Sequence, residues 1–356
     1  MVHSSPSARW WFYEFIAVGR RPQKRVAGLP SDGACIVQSS WDECGTTPGE
    51  IRMTQPLQRK VVTVLTITAV CLGLSACQSV VTPTWAIPPD ASIQPVNGYP
   101  LAYATRGAGP TVVFVHGVLG DYRYWRGQLD TWSSDFRVIA ISLRHFYPEK
   151  WNGQGRDFTI RQHAKDLIAF IESTGGPVYL VGWSYGGGPA FEAARARPDL
   201  VKKLVLVEGG PDLHATPPGV PGNAAQIQRA TVTAKFFDAG DIDGGLKFAI
   251  DDINGAGRWD SLPEQNRQAL RDNAWTVVGI GREQIDSVTC AEFESLKMPV
   301  LLVWGELTTS RLRQIVQEQS KCLPQAAVAT IPKAGHPSSL MNPTAFKETV
   351  VTFLRR

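Results

Sequence analysis

The chain has 356 residues, 43% hydrophobic and 19% charged, with 14 Phe and 11 Trp. That length and composition accommodate one large α/β domain with an insertion and exclude a disordered or collagen-like chain, and no repeat of fixed period is visible. The net charge of +4 belongs mostly to the N-terminal part; from Cys77 onward 28 basic residues face 27 acidic ones, so no basic stripe argues for a nucleic-acid partner.

Residues 1–52 are punctuated by Pro and Gly without sustained apolar periodicity, which reads as an over-long gene start ahead of Met53 or as a disordered leader. From Met53 the order is that of an export signal. Gln58, Arg59 and Lys60 form a basic region, Val61 to Leu74 an apolar one, and Ser75 and Ala76 supply small residues. The apolar run is about 14 residues, short of the roughly 20 that cross a bilayer. Leu74-Ser75-Ala76-Cys77 resembles a bacterial lipobox, which implies a signal peptide over 53–76, lipidation of Cys77 and anchoring in the cell envelope. Gln78 after the cysteine favours the outer membrane, on its periplasmic side. An uncleaved anchor or a plain signal peptide is the alternative.

A Pro-rich tether over 77–91 precedes alternating strand and helix patterns, which demand a mostly parallel sheet. Ser92 to Val96 and Tyr99 to Arg106 flank Asn97-Gly98, the strongest hairpin signal, so the first two strands are expected to be antiparallel. Thr111 to Val115 is a continuous apolar run suited to a strand buried on both faces. A helix is expected over Tyr122 to Trp132 and a strand over Arg137 to Leu143. Thr159 to Ser173 has helical apolar spacing with Thr159 as N-cap. Strands at Val178 to Val181, Lys203 to Val207, Met298 to Trp304 and Ala326 to Ile331 bring the sheet to eight. Helices are expected over Gly186 to Arg197 and Pro343 to Leu354. Between these the alternation stops, and 212–290, helical for instance over Glu264 to Thr276, reads as a cap above the carboxyl ends of the strands, where ligands bind in such sheets. The core is then 92–211 with 291–356.

Beyond Cys77 the remaining cysteines are Cys290 and Cys322. In an oxidising compartment a pair is normally bridged, and their positions just before two neighbouring strands suit a disulfide; two unrelated core thiols are the alternative.

Gly182-Trp183-Ser184-Tyr185-Gly186 fits G-x-S-x-G directly after a strand and opening a helix. With His116-Gly117-Val118-Leu119-Gly120 after the third strand and Ala334-Gly335-His336 after the last, the motifs stand in the order of the α/β-hydrolase superfamily, which the chain resembles over nearly all of Ile93 to Leu354. The resemblance implies an eight-stranded mostly parallel sheet with helices on both faces and a helical cap. It implies Ser184 as nucleophile, His336 as general base, the amides of Val118 and Tyr185 as oxyanion donors, and a supporting role for His116.

The acid departs from the commonest pattern. Most relatives place an aspartate after the seventh strand, where this chain has Thr308 in Trp304-Gly305-Glu306-Leu307-Thr308. Some place the acid after the sixth strand, where Glu208 stands. A threonine cannot stabilise an imidazolium, so Glu208 is the expected third member, with Glu306 the alternative.

The reaction class implied is acyl transfer to water on a small or medium carboxylic ester, with lactones, thioesters, activated C–C bonds and peroxide as an acceptor in reach of similar constellations. No cofactor is implied, no metal-ligand spacing appears, and the oligomeric state is not encoded in any motif. The rival reading is an inactive envelope lipoprotein that keeps the scaffold for binding.

Overall fold

The structure, a computed structural model, describes residues 81–213, 223–283, 285 and 287–356. The leader 1–52, the export segment 53–76 and Cys77 lie outside the described residues. Among the described residues no helix is long and apolar enough to cross a membrane.

Strands β1 (Ser92–Val96) and β2 (Tyr99–Arg106) form the expected antiparallel hairpin. Its turn uses Asn97 and Gly98, at φ 46° and 75°, the pair of positive angles that a two-residue hairpin favours. Then follow β3 (Thr111–Val115), a short 3-10 turn, α1 (Arg126–Trp132), β4 (Arg137–Ile141), α2 (Ile160–Ser173), β5 (Val178–Trp183), α3 (Gly187–Ala196) and β6 (Val201–Val207). The insertion carries α4 (Ala224–Asp238), α5 (Ile242–Asn254), α6 (Glu264–Asp272) and α7 (Thr276–Gly279), and α8 (Cys290–Glu294) leads from its last residue back into the core. The chain ends with β7 (Val300–Gly305), α9 (Ser310–Cys322), β8 (Ala327–Ile331), α10 (Ser338–Met341) and α11 (Pro343–Arg355).

The sheet order is β1-β2-β4-β3-β5-β6-β7-β8. β2 meets β4 antiparallel, and every pairing from β4 to β8 is parallel. Period-two alternation explains why central strands are apolar throughout. On β3, Val113 and Val115 pack with Leu167, Phe170 and Phe191 of α2 and α3. Val112 and Phe114 face the other way, onto Trp125, Trp132 and Phe346. α2 begins where expected, with Thr159 Oγ1 accepting the Gln162 amide at 3.0 Å.

The insertion has an apolar cluster of its own, with Phe237, Leu246, Ile250, Trp259 and Val277 among its members. The helix expected over Glu264 to Thr276 is interrupted at Asn273. Its side chain accepts the Tyr147 amide and donates to Asp121, and an Asn engaged in this way competes with regular helix. Helix α9 was not expected from the sequence. It buries only Val316, Gln319 and Cys322, too thin an apolar stripe to stand out as a periodicity. Cys290, opening α8, and Cys322, closing α9, are joined by a disulfide with Cα atoms 5.1 Å apart, tying the end of the insertion to the core.

Candidate active site

Ser184 leaves the tip of β5 with φ 52° and begins a 3-10 turn that runs into α3. Such an angle is unfavourable for a residue with a Cβ, and it lifts the side chain out of the turn. The turn closes only because its flanks are glycine. A Cβ on Gly182 would lie 2.8 Å from the Gly186 carbonyl oxygen, and one on Gly186 would strike the backbone of Val115 and His116.

His336 arrives from the loop after β8, 152 residues further along the chain. Its Nε2 is 3.0 Å from Ser184 Oγ, and its Nδ1 is 2.8 Å from Glu208 Oε2. A carboxylate only accepts, so Nδ1 carries the proton and Nε2 presents a lone pair to the serine hydroxyl. Glu208 follows the last residue of β6 at φ 45° with its side chain fully buried. Its Oε1 accepts the Gly305 amide at 2.5 Å, and its Oε2 also accepts the Thr308 hydroxyl at 2.6 Å. Glu306 is exposed and turned elsewhere, accepting the Lys333 amide at 2.8 Å. Of the two carboxylates weighed from the sequence, the fold brings Glu208 to His336.

Trp183 holds the loop that carries His336. Its indole Nε1 donates to the His336 carbonyl at 3.0 Å while its ring stacks on Tyr124 with centroids 4.1 Å apart. Trp183 and Thr308 make contacts at this site that the sequence does not announce. The sequence identified Thr308 only as a vacancy for an acid, and nothing in local spacing marks a hydroxyl that reaches a strand neighbour 100 residues away.

Val118 lies in the turn after β3 and Tyr185 in the turn after Ser184, both partly buried. The Tyr185 amide belongs to the first turn of a helical segment, where no intrahelical acceptor exists. The Val118 amide has no hydrogen-bond acceptor among the described residues. Two buried histidines brace these segments. Burial pushes the pKa of His116 down to about 4, so it is neutral, donating from Nδ1 to the Gly117 carbonyl and accepting the Leu143 amide on Nε2. Burial pushes His163 down to about 3. Its Nε2–H faces the Arg144 carbonyl at 3.2 Å, and Nδ1 accepts the Tyr185 phenol at 2.9 Å. Among the described residues no cluster of His, Cys, Asp and Glu is arranged to hold a metal ion.

A doubly wound sheet with a serine on the turn after its fifth strand, a histidine after the last and a carboxylate between them defines the class of α/β hydrolases. Residues 112–349 match the profile of the alpha/beta hydrolase family, and the chain belongs to that family of enzymes. It is similar to a putative 2-succinyl-6-hydroxy-2,4-cyclohexadiene-1-carboxylate synthase of Bacillus subtilis, 28% identical over 275 residues that make up 71% of this chain and 94% of the relative. It is also similar to the pimeloyl-[acyl-carrier protein] methyl ester esterase of Methylococcus capsulatus, 34% identical over 123 residues, 34% of this chain and 45% of that one. Among solved structures, a bromoperoxidase from Bacillus anthracis superposes with a TM-score of 0.63 at 21% identity, over 75% of this chain and all of that one. A thermophilic esterase from Thermogutta terrifontis gives 0.59 at 23%, over 74% and 97%. At such identities the structural likeness speaks for the fold alone.

Proposed function

We propose that the chain is a serine hydrolase of small or medium carboxylic esters, with Ser184 as nucleophile, His336 as general base and Glu208 as the acid that orients it. The observation that carries this reading is the unbroken line from Ser184 Oγ through the imidazole to Glu208, at 3.0 and 2.8 Å. Ser184 Oγ attacks the ester carbonyl while its proton passes to His336 Nε2. The carbonyl oxygen becomes an oxyanion held by the amides of Val118 and Tyr185, each such donor contributing about 3 kcal/mol to the transition state. Collapse expels the alcohol, protonated by His336, and leaves an acyl-enzyme. Water, deprotonated by the same imidazole, then releases the acid and restores Ser184. Glu208 keeps Nδ1 protonated and stabilises the imidazolium as it forms. A cap formed by the insertion would suit a compact substrate better than a lipid surface, and the named activity of the Methylococcus relative is consistent with an ester bond.

A fluorophosphonate probe tests the reading, because it labels only an activated hydroxyl. Labelling of the wild type and none of Ser184→Ala is expected, along with turnover of short chromogenic esters that His336→Ala abolishes. An unlabelled wild type that turns over no ester would overturn it. Anchoring through a lipidated Cys77 is proposed on the order of residues 58–77 alone. Expressed in a Gram-negative host, the protein is expected in the membrane fraction, and Cys77→Ser in the soluble one; identical fractionation refutes the anchor.

A further inference from the structure

The loop after β3 that carries Val118 is fastened to the insertion at three buried points. Leu119 has φ 63°, a left-handed backbone that a leucine keeps only when its surroundings impose it. Its amide donates to Thr276 Oγ1 at 3.2 Å, and that hydroxyl in turn donates to the Asn273 carbonyl at 2.6 Å. Its side chain is not part of either sheet-face core. It packs in the insertion's own cluster with Phe237, Trp259, Val277 and Val278. Two residues on, the Asp121 carboxylate accepts Asn273 Nδ2 at 2.7 Å, while Asn273 Oδ1 accepts the Tyr147 amide at 2.8 Å. Leu119, Asp121, Asn273 and Thr276 are all buried, so water offers none of them a substitute partner.

We infer that the 273–276 junction of the insertion is a positioning device for the oxyanion site, with Thr276 as its central residue; this rests on the reading of Val118 as an oxyanion donor. A donor amide works only when it is already aimed at the position the oxyanion will occupy, and tenths of an ångström matter. The Val118 amide is one peptide unit from the Leu119 amide. Holding the second on Thr276, with the Leu119 side chain plugged beside it, anchors one side of Val118 and so restricts the direction of the first. The insertion is thus part of the framework that holds the loop of Val118. Its removal or loosening is felt in the chemical step and not only in substrate affinity.

Thr276→Val keeps the shape and removes the hydroxyl; Thr276→Ser keeps the hydroxyl. With a short chromogenic ester, Thr276→Val is expected to lower kcat at least tenfold with KM within about twofold, and Thr276→Ser to stay within about twofold of the wild type. Inhibition by a trifluoromethyl ketone, which forms an oxyanion on the nucleophile, should weaken in parallel with kcat. Asn273→Ala, which cuts the second anchor and leaves the Thr276 hydroxyl in place, carries the same expectation should Thr276→Val not fold. Unchanged kcat in a folded variant, or a raised KM with kcat and ketone inhibition preserved, overturns the inference while leaving the hydrolase reading intact. A wild type without turnover or Ser184-dependent labelling ends both.

Discussion

Glu208 accepts three donors at once, from His336, Thr308 and the Gly305 backbone. Each fixes a different direction of the carboxylate, and together they compensate its complete burial. Glu208→Gln must present an amide N–H to one of three groups that already donate, and the imidazole is then left without its tautomer lock. By analogy with other triads, kcat should fall about 10⁴-fold, whereas Glu306→Gln, which disturbs one exposed contact with Lys333, should leave it within about twofold. Equal and mild effects on kcat from the two variants would remove Glu208 from the mechanism. Thr308→Val takes one donor from a buried carboxylate without removing its charge. A loss of about 1.5–3 kcal/mol of stability by urea unfolding is expected, with a fall in kcat of about tenfold that Thr308→Ser reverses. Thr308 thus serves to hold the Glu208 carboxylate.

The segment between β4 and α2 shows the same logic over a longer stretch. Arg144 is paired with buried Asp166 and with Asp157, and His145 lies between Glu149 and Asp157, 3.1 and 2.9 Å from them. Its ring is stacked on Trp151 and Phe158. Burial opposes the imidazolium, but hydrogen bonds and charge from the two carboxylates outweigh it and hold the His145 pKa above its ordinary value. A raised folded-state pKa adds stability that is complete below about 6.5, the unfolded value, and disappears as pH rises through the folded one. Hydrogen exchange in 145–158 should accordingly quicken as pH is raised from about 6.5, after correction for intrinsic exchange rates, and His145→Gln should abolish that dependence. A segment equally protected across the range would show that His145 adds nothing to its closure.

How much of such elements can be read in advance follows from the range of the forces that make them. The eight strands, the Asn97-Gly98 turn, the Thr159 cap and the tight turn at Ser184 depend on residues within a few positions of one another, so periodicity and turn chemistry expose them. Ser184 and His336 were legible because each sits on a local motif. The contact of Thr308 with Glu208, the indole of Trp183 on the His336 carbonyl and the seat of Leu119 in the insertion join residues 100 or more apart. No spacing in the sequence encodes such a pairing. The break at Asn273 has the same origin, because that side chain answers to Asp121 and Tyr147 rather than to its own helix.

Across the whole molecule, His116 and His163 contribute to the loss of stability in acid, beside carboxylates such as Asp90, Asp157 and Asp243 whose pKa values are held low. Both histidines are fully buried and neutral, with pKa values held down to about 4 and about 3 by the cost of desolvating a cation. A depressed histidine pKa stabilises the fold fully above about 6.5, and that contribution is lost as pH falls toward the folded value, since the unfolded chain takes up the proton first. From these two groups alone unfolding takes up nearly two protons between about pH 5.5 and 4.5, a contribution of roughly 2.7 kcal/mol per pH unit to the slope. In that interval His145 is protonated in both states and adds no slope. Urea unfolding at a series of pH values measures the slope directly, and His116→Gln or His163→Phe should each lower it by about 1.4 kcal/mol per pH unit. A slope near zero would mean that neither ring is held neutral. The two losses are not equivalent in consequence. Protonating His163 takes away the acceptor of the Tyr185 phenol and so disturbs the turn that carries Ser184, whereas protonating His116 breaks the Leu143 amide contact behind the Val118 loop.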